Sequence, residues 1–170
     1  MNNRIKSITM AAILVAIGIV LPQIFHVFGG TSGAVFLPMH IPVYLAGLLL
    51  GPTFGIIVGA ILPFASFLLT GMPVAVRLPF MIIELIAYGF FSGFLYKKTK
   101  NVWISLIGAQ IIGRIVYALG LFISANLLSI ATTPAVASVW TAITIGIPGL
   151  IIQWILIPPV IYLVKRYVKI

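Results

Sequence analysis

Long runs of apolar residues, separated by short polar or glycine-rich stretches, make up most of the chain. About 20 apolar residues in a helix cross the roughly 30 Å hydrocarbon layer of a membrane. The pattern predicts six spans, over residues 8–26, 40–51, 53–70, 78–96, 102–125 and 139–164. The second is too short to cross alone, so we expect it to be tilted, broken or partly buried. The predicted fold is an all-α membrane bundle forming a single domain over residues 1–170.

Three nearly uncharged connections are predicted on one side of the bundle, over residues 27–39, 71–77 and 126–138. The first contains the glycine-rich stretch 29–33, which reads as a loop. Glycine and proline also occur inside the spans, for example at Pro63. Broken helices of this kind surround the cavities of many transporters. Both residues are also simply more frequent in membrane helices, so this pattern alone leaves the two interpretations open.

The distribution of charge orients the bundle. The chain is 62% hydrophobic and 6% charged, with ten Lys or Arg residues and one acidic residue, Glu84. Eight of the basic residues lie in three clusters beside the apolar runs, at Arg4 and Lys6, at Lys97, Lys98 and Lys100, and at Lys165, Arg166 and Lys169. Cytoplasmic ends of membrane helices carry such clusters. Six spans place all three clusters, and both termini, in the cytoplasm. Binding of nucleic acid is disfavoured because it needs basic residues gathered on one face.

Several kinds of chemistry have no support in the sequence. The chain has no cysteine and only one carboxylate side chain, which excludes thiol catalysis and the usual multi-carboxylate metal site. It contains no HExxH, GxSxG or Walker sequence. We therefore expect no metal, no cofactor and no enzymatic activity. Any ATP-driven step must take its energy from partner proteins.

Two charged residues fall within predicted spans, Glu84 in the fourth and Arg114 in the fifth. Charges at such depth cost roughly 2.5–3.5 kcal/mol on insertion scales and usually face the bundle interior. The two can meet at similar depth. They then form an ion pair that locks two helices, or they bind a polar ligand in an outward cavity, and both can hold together.

Other candidates surround this pair near the outer ends of the spans. Arg77 lies seven residues before Glu84, on the same face if the helix extends that far, and is otherwise an exposed loop arginine. His40 opens the second span, as a structural group or a ligand contact. The complete predicted substrate site is His40, Arg77, Glu84, Tyr88, Arg114, Tyr117, Asn126 and Trp140.

Small residues spaced four apart let membrane helices approach closely. Such pairs occur at Ala12 and Ala16, at Gly47 and Gly51, and at Gly55 and Gly59. They serve packing within the bundle or docking to another membrane subunit.

The run FLPMHIPVYLAGLLLGP over residues 36–52 resembles the substrate-specific (S) components of energy-coupling factor (ECF) transporters. Residues 69–73, 84–89 and 148–153 extend the likeness over nearly the whole chain. The resemblance implies six helices with both termini inside, in the plasma membrane of a prokaryote. It also implies partners, namely a membrane coupling subunit and two cytoplasmic ATPases, with Ala12 and Ala16 docking to the coupling subunit. The implied mechanism is toppling, in which the whole subunit rotates in the membrane with its vitamin.

The cargo is less constrained than the family. The LPMHIP pattern over residues 37–42 looks most like the subgroup assigned to α-ribazole, a cobalamin precursor. Pantothenate is a close alternative, and it needs a cation such as Arg77 or Arg114 for its carboxylate. A function of another class, a solitary proton-coupled carrier using Glu84, also stays open.

Overall fold

The computed structural model describes residues 3–27, 29, 32–127, 134 and 137–167, and within these ranges the chain is helical with no strand. The α-helices in chain order are α1 (Asn3–His26), α2 (Ser32–Phe36), α3 (His40–Leu50), α4 (Pro52–Thr70), α5 (Leu78–Thr99), α6 (Val102–Phe122), α7 (Ser138–Ile145) and α8 (Ile147–Tyr167). A short π-helical segment, Ile123–Leu127, extends α6. Lys169 and most of the predicted connection 126–138 lie outside the described residues.

Six segments are long and apolar enough to cross a membrane, which confirms the predicted fold class. Their outer surface is apolar. Leu69 on α4 and Ile155 on α8, for example, are 72% and 69% exposed. Water would penalise such a surface, whereas lipid does not, so the exposed side chains are those expected of a bundle embedded in a bilayer.

The second span is built differently from a simple loop followed by a helix. Helix α3 has 11 residues, as the short apolar run predicts. However, the connection predicted over residues 27–39 is not wholly a loop, because Ser32–Phe36 form a helical turn that completes a 19-residue crossing segment. Leu37 joins α2 to α3 with a φ of 49°, a left-handed conformation that turns the chain between them.

The sixth predicted span, 139–164, is also corrected, because it is two helices rather than one. Helix α7 ends at Ile145 and is capped by Gly146, whose amide donates to the carbonyl of Ala142 over 3.1 Å. Helix α8 starts at the next residue and carries Pro148 in its first turn, where the missing amide of proline costs nothing. The break lets α7 turn away from α8 and form part of a wall at the outer end of the bundle.

A seam of glycines brings α3, α4 and α5 into close contact. A Cβ atom added to Gly59 would lie 2.5 Å from the carbonyl oxygen of Leu85, and one added to Gly93 would lie 2.7 Å from that of Gly47. Gly55 and Gly89 face each other in the same way. These glycines therefore serve packing within the bundle, the first of the two roles considered for the small-residue pairs on α3 and α4.

The basic ends of α5 and α8 lie together. The Nζ atom of Lys165 sits 3.8 Å from the centre of the Tyr96 ring, and Lys98 lies over Phe94. Such cation–π contacts keep the ammonium groups at one end of the bundle. This end is the cytoplasmic one by the charge rule. The opposite end, with the connections around α2, residues 71–77 and α7, is the outer one.

Candidate functional site

A cavity of about 470 Å³ lies at the outer end of the bundle. Its wall is formed by the starts of α3 and α5, by α1, α2, α4, α6 and α7, and by residues 72–74 that join α4 to α5. Pockets for small molecules usually enclose 300–1,000 Å³. The position of the cavity follows from the helix breaks at Leu37 and Gly146, which leave short helices around the outer end instead of continuous spans.

The floor of the cavity carries an ion pair. Arg114 Nη1 lies 2.9 Å from Glu84 Oε1, and the two side chains are only 13% and 6% exposed. The hydroxyl of Tyr88 donates to the same carboxylate oxygen over 2.7 Å. Glu84 and Tyr88 are one turn apart on α5, so one helix supplies both groups, and α6 supplies the arginine. A charge at this depth is tolerated because it is paired and hydrogen-bonded.

Tyr88 fixes this pair from below rather than lining the cavity. Its ring packs against those of His40 and Tyr44, with centroids 5.5 and 5.1 Å away. Gly113 on α6 leaves the room that the ring fills, since a Cβ there would overlap it. The Tyr88 hydroxyl that binds the carboxylate thus belongs to an aromatic layer of α3 and α5, which packs against α6 at Gly113.

Two polar side chains in the cavity wall have no partner among the described residues. His40 is 5% exposed, and neither its Nδ1 nor its Nε2 atom forms a hydrogen bond there. The buried Oγ atom of Ser138, at the start of α7, is in the same condition. A buried polar group without a hydrogen bond costs about 1–3 kcal/mol. Both groups line the cavity, so a bound molecule with polar atoms can satisfy them.

Five of the eight residues predicted for the site line this one cavity, namely His40, Arg77, Glu84, Arg114 and Tyr117. Tyr88 supports them from beneath. The remaining two lie elsewhere. Asn126 is exposed and its side-chain amide donates to the carbonyl of Phe122 over 3.0 Å, while Trp140 is 71% exposed and does not line the cavity.

Several lining residues were not predicted from the sequence, among them Ser66, Met81, Ser138, Thr141 and Ala142. Ser138 fell at the end of a predicted connection, and Thr141 and Ala142 in the supposed sixth span. Gly146 followed by Ile147-Pro148 is the signal that could have revealed a helix break there, and with it the inward-facing wall.

Gln153 is not a cavity residue. It is fully buried in α8 and accepts a hydrogen bond from Gln110 Nε2 over 2.9 Å. Trp154 donates to Gln110 Oε1 over the same distance. This network joins α6 to α8 and thereby holds the helix that carries Arg114.

Ala12 and Ala16 both lie on an exposed face of α1. They are one turn apart, and their small side chains leave the backbone accessible. Within the described residues they are therefore available for contact with lipid or another subunit, unlike the glycine seam.

Comparison with known proteins identifies the family. A search of curated proteins found no match. The family model described as ECF transporter, substrate-specific component, matches residues 6–161, which is nearly the whole chain. The chain therefore belongs to the ECF transporter substrate-specific component family, whose members are substrate-binding subunits of membrane transporters rather than enzymes.

Proposed function

We propose that this chain captures a vitamin or vitamin precursor from outside a prokaryotic cell and delivers it inward with an ATP-driven ECF module. The observation that carries the proposal is the outer cavity, whose floor holds the buried Glu84–Arg114 pair and whose wall contains the unpartnered His40. The cavity is large enough for a small molecule and offers it charged and polar contacts.

Delivery requires partners in this proposal. The chain has no nucleotide-binding sequence, so the energy of ATP has to come from two cytoplasmic ATPases through a membrane coupling subunit. Ala12 and Ala16 supply the docking face on α1. The subunit then topples in the membrane and carries its bound cargo to the cytoplasmic side.

Two cargoes are candidates. The resemblance of residues 37–42 favours α-ribazole, whose benzimidazole ring would stack on aromatic side chains and whose ribose would bind polar groups. Pantothenate is the second, and a specific observation favours it, since Arg77 lines the mouth of the cavity and can meet a carboxylate.

Reconstituted uptake tests the transport proposal. Proteoliposomes that contain this chain, its coupling subunit and both ATPases should accumulate radiolabelled α-ribazole or pantothenate only when ATP is supplied to the ATPases. Proteoliposomes with the chain alone serve as the control and should bind the compound without accumulating it.

The alternative is a solitary proton-coupled carrier, in which Glu84 exchanges a proton. That carrier would accumulate the compound without any ATPase when a proton gradient is imposed. Accumulation by the chain alone would therefore contradict the ECF assignment of its mechanism.

A further inference from the structure

We propose that the cavity selects a small anionic ligand and that Arg77 holds the carboxylate or phosphate of that ligand at the mouth. The proposal rests on the function proposed above. It adds the charge of the cargo and the residue that recognises this charge.

The charge of the cavity wall favours an anionic ligand. Two arginines and one glutamate line it, namely Arg77, Arg114 and Glu84. Glu84 is the only acidic side chain in the whole sequence. The wall therefore carries a formal surplus of positive charge that no other acidic side chain of this chain can neutralise. A cavity with a net charge and low-dielectric walls concentrates ligands of the opposite sign.

Among the described residues, the unpaired positive charge of the cavity wall is that of Arg77, not that of Arg114. Arg114 is committed to Glu84 at 2.9 Å. Arg77 is exposed at the mouth and forms no ion pair within the described part of the chain. Its guanidinium can therefore form a two-pronged contact with a carboxylate or a phosphate without breaking an existing pair.

The directions of the helices add to the positive electrostatic potential of the cavity. Helices α3, α5 and α7 begin at His40, Leu78 and Ser138, so three positive helix ends face the cavity. None of the three has a side-chain cap that would offset this potential. The first amides of α3 already donate to the carbonyls of Leu37 and Pro38. The three helix ends therefore contribute a favourable potential, and at α3 the direct contacts with a ligand are left to side chains.

The polar groups of the wall show that the cavity is more than a gap between helices. His40, 5% exposed, presents two ring nitrogens that have no partner among the described residues. A ligand that meets them needs hydroxyl or amide groups in addition to its anion. Aromatic walls are sparse by comparison, since the described rings that line the cavity are those of His40 and Tyr117. Stacking of a flat neutral ring is therefore the weaker basis for recognition.

Among the candidate cargoes, the positive charge of the cavity wall and its few aromatic rings favour pantothenate over the uncharged nucleoside α-ribazole. A phosphorylated α-ribazole would satisfy the same requirement. The two compounds differ in scaffold and share the anionic group, so an experiment with both scaffolds can separate charge from shape.

The experiment compares two pairs of probes, each with an anionic and a neutral member. The pairs are pantothenate with its alcohol pantothenol, and α-ribazole 5′-phosphate with α-ribazole. Their affinities for the purified chain in lipid nanodiscs are measured by calorimetry. In the pair that binds, the anion should bind at least tenfold more tightly, about 1.4 kcal/mol.

Variants assign this preference to Arg77. Arg77→Gln should remove the tenfold preference while leaving the affinity for the neutral member within about twofold. Arg77→Lys should retain part of it, because it keeps the charge but loses the planar fork. Lys98→Gln removes the same charge from the cytoplasmic end of the bundle and is the matched control, which should keep the full preference.

The experiment distinguishes a failure of the anion proposal from a failure of the proposed cargoes. Equal affinity for the anionic and neutral members, or an equal loss for both in Arg77→Gln, would overturn the anion proposal and leave substrate capture standing. Absence of binding by all four probes would overturn the proposed cargoes and the anion proposal together.

Discussion

Glu84 and Arg114 have both a structural role and a proposed role in binding the cargo. Their pair is buried, joins α5 to α6 and also forms the floor of the cavity. A structural role and a ligand-binding role predict different behaviour when the pair is removed as a unit.

We predict that Glu84→Gln destabilises the protein, because it leaves the buried Arg114 guanidinium without its counter-ion. Removing one partner of a buried pair costs about 3–5 kcal/mol. The double variant Glu84→Gln with Arg114→Met should recover most of the thermal stability, since no unpaired charge remains. Both variants should bind the cargo more than tenfold more weakly in a calorimetric titration. A double variant with unchanged affinity would reduce the pair to a structural role.

Replacing His40 is expected to preserve or raise the stability of the free protein and to lower its affinity for the cargo. Its two ring nitrogens are buried without partners among the described residues, so His40→Phe removes an unsatisfied polar group and keeps an aromatic ring beside Tyr88. The free protein should become equally or more stable, by up to about 2 kcal/mol in unfolding free energy. Affinity for the cargo should fall at least fivefold. A less stable variant with unaltered affinity would show that His40 is a structural group.

The sequence indicated individual residues most clearly where a charged side chain lies inside an apolar span. The sequence indicated that Glu84 and Arg114 face the bundle interior and either pair or bind a ligand, and the structure shows the ion pair. Asn126 and Trp140 were selected only because they stand near the outer ends of spans. Nearness to an end does not specify which side of a helix a residue occupies, and the structure places both outside the cavity.

The helices themselves pack in two different ways, tightly across the glycine seam and openly along α1. Gly59 approaches the backbone of α5 closely, whereas a Cβ on Gly120 of α6 would have ordinary contact, 3.7 Å from Phe80. These two positions form a matched pair for testing how the bundle is held together.

We predict that Gly59→Ala lowers the melting temperature, since the added carbon would lie 2.5 Å from the carbonyl oxygen of Leu85 and would push α4 from α5. Overpacking of this kind costs about 1–3 kcal/mol. Gly120→Ala should be neutral or stabilising by up to about 1 kcal/mol, as expected for glycine replaced in a helix interior. Equal melting temperatures for the two variants would contradict the close approach of α4 and α5.

The exposed alanines of α1 give a prediction about delivery rather than capture. Ala12→Trp should leave the affinity for cargo unchanged, because α1 presents this side chain away from the bundle. It should abolish ATP-dependent uptake by blocking close approach of the coupling subunit. Ile13→Trp, at an exposed neighbouring position that is already bulky, is the control and should support uptake. Normal uptake by Ala12→Trp would remove Ala12 from the docking face.

The hydropathy pattern predicted where the long helices begin but not where the chain breaks into short helices. The predicted span 53–70 begins one residue after α4 begins at Pro52, and the fourth span begins at residue 78 as α5 does. Hydropathy sets these lengths through the thickness of the bilayer. It does not record that α2 and α7 are short helices at the outer end, because a break in an apolar run changes little in its average hydropathy. Those two breaks create the cavity wall.

Taken as one object, the molecule is an apolar bundle with a basic cytoplasmic end and a polar cavity at its outer end. The sequence was sufficient for the number of spans, because positive clusters and apolar lengths agree on six. It was insufficient for the cavity, whose lining brings together residues that lie far apart in the chain, such as His40 on α3 and Ser138 on α7.

The most direct test of this account is a calorimetric titration of the purified chain, without its partners, against pantothenate and α-ribazole. We expect one compound to bind at one site per chain, and Ala142→Trp, which fills the cavity from α7, to abolish that binding. Leu119→Trp, on an exposed face of α6, should bind as the wild type does. Undiminished binding by a folded Ala142→Trp variant would contradict the central claim that the outer cavity captures the cargo.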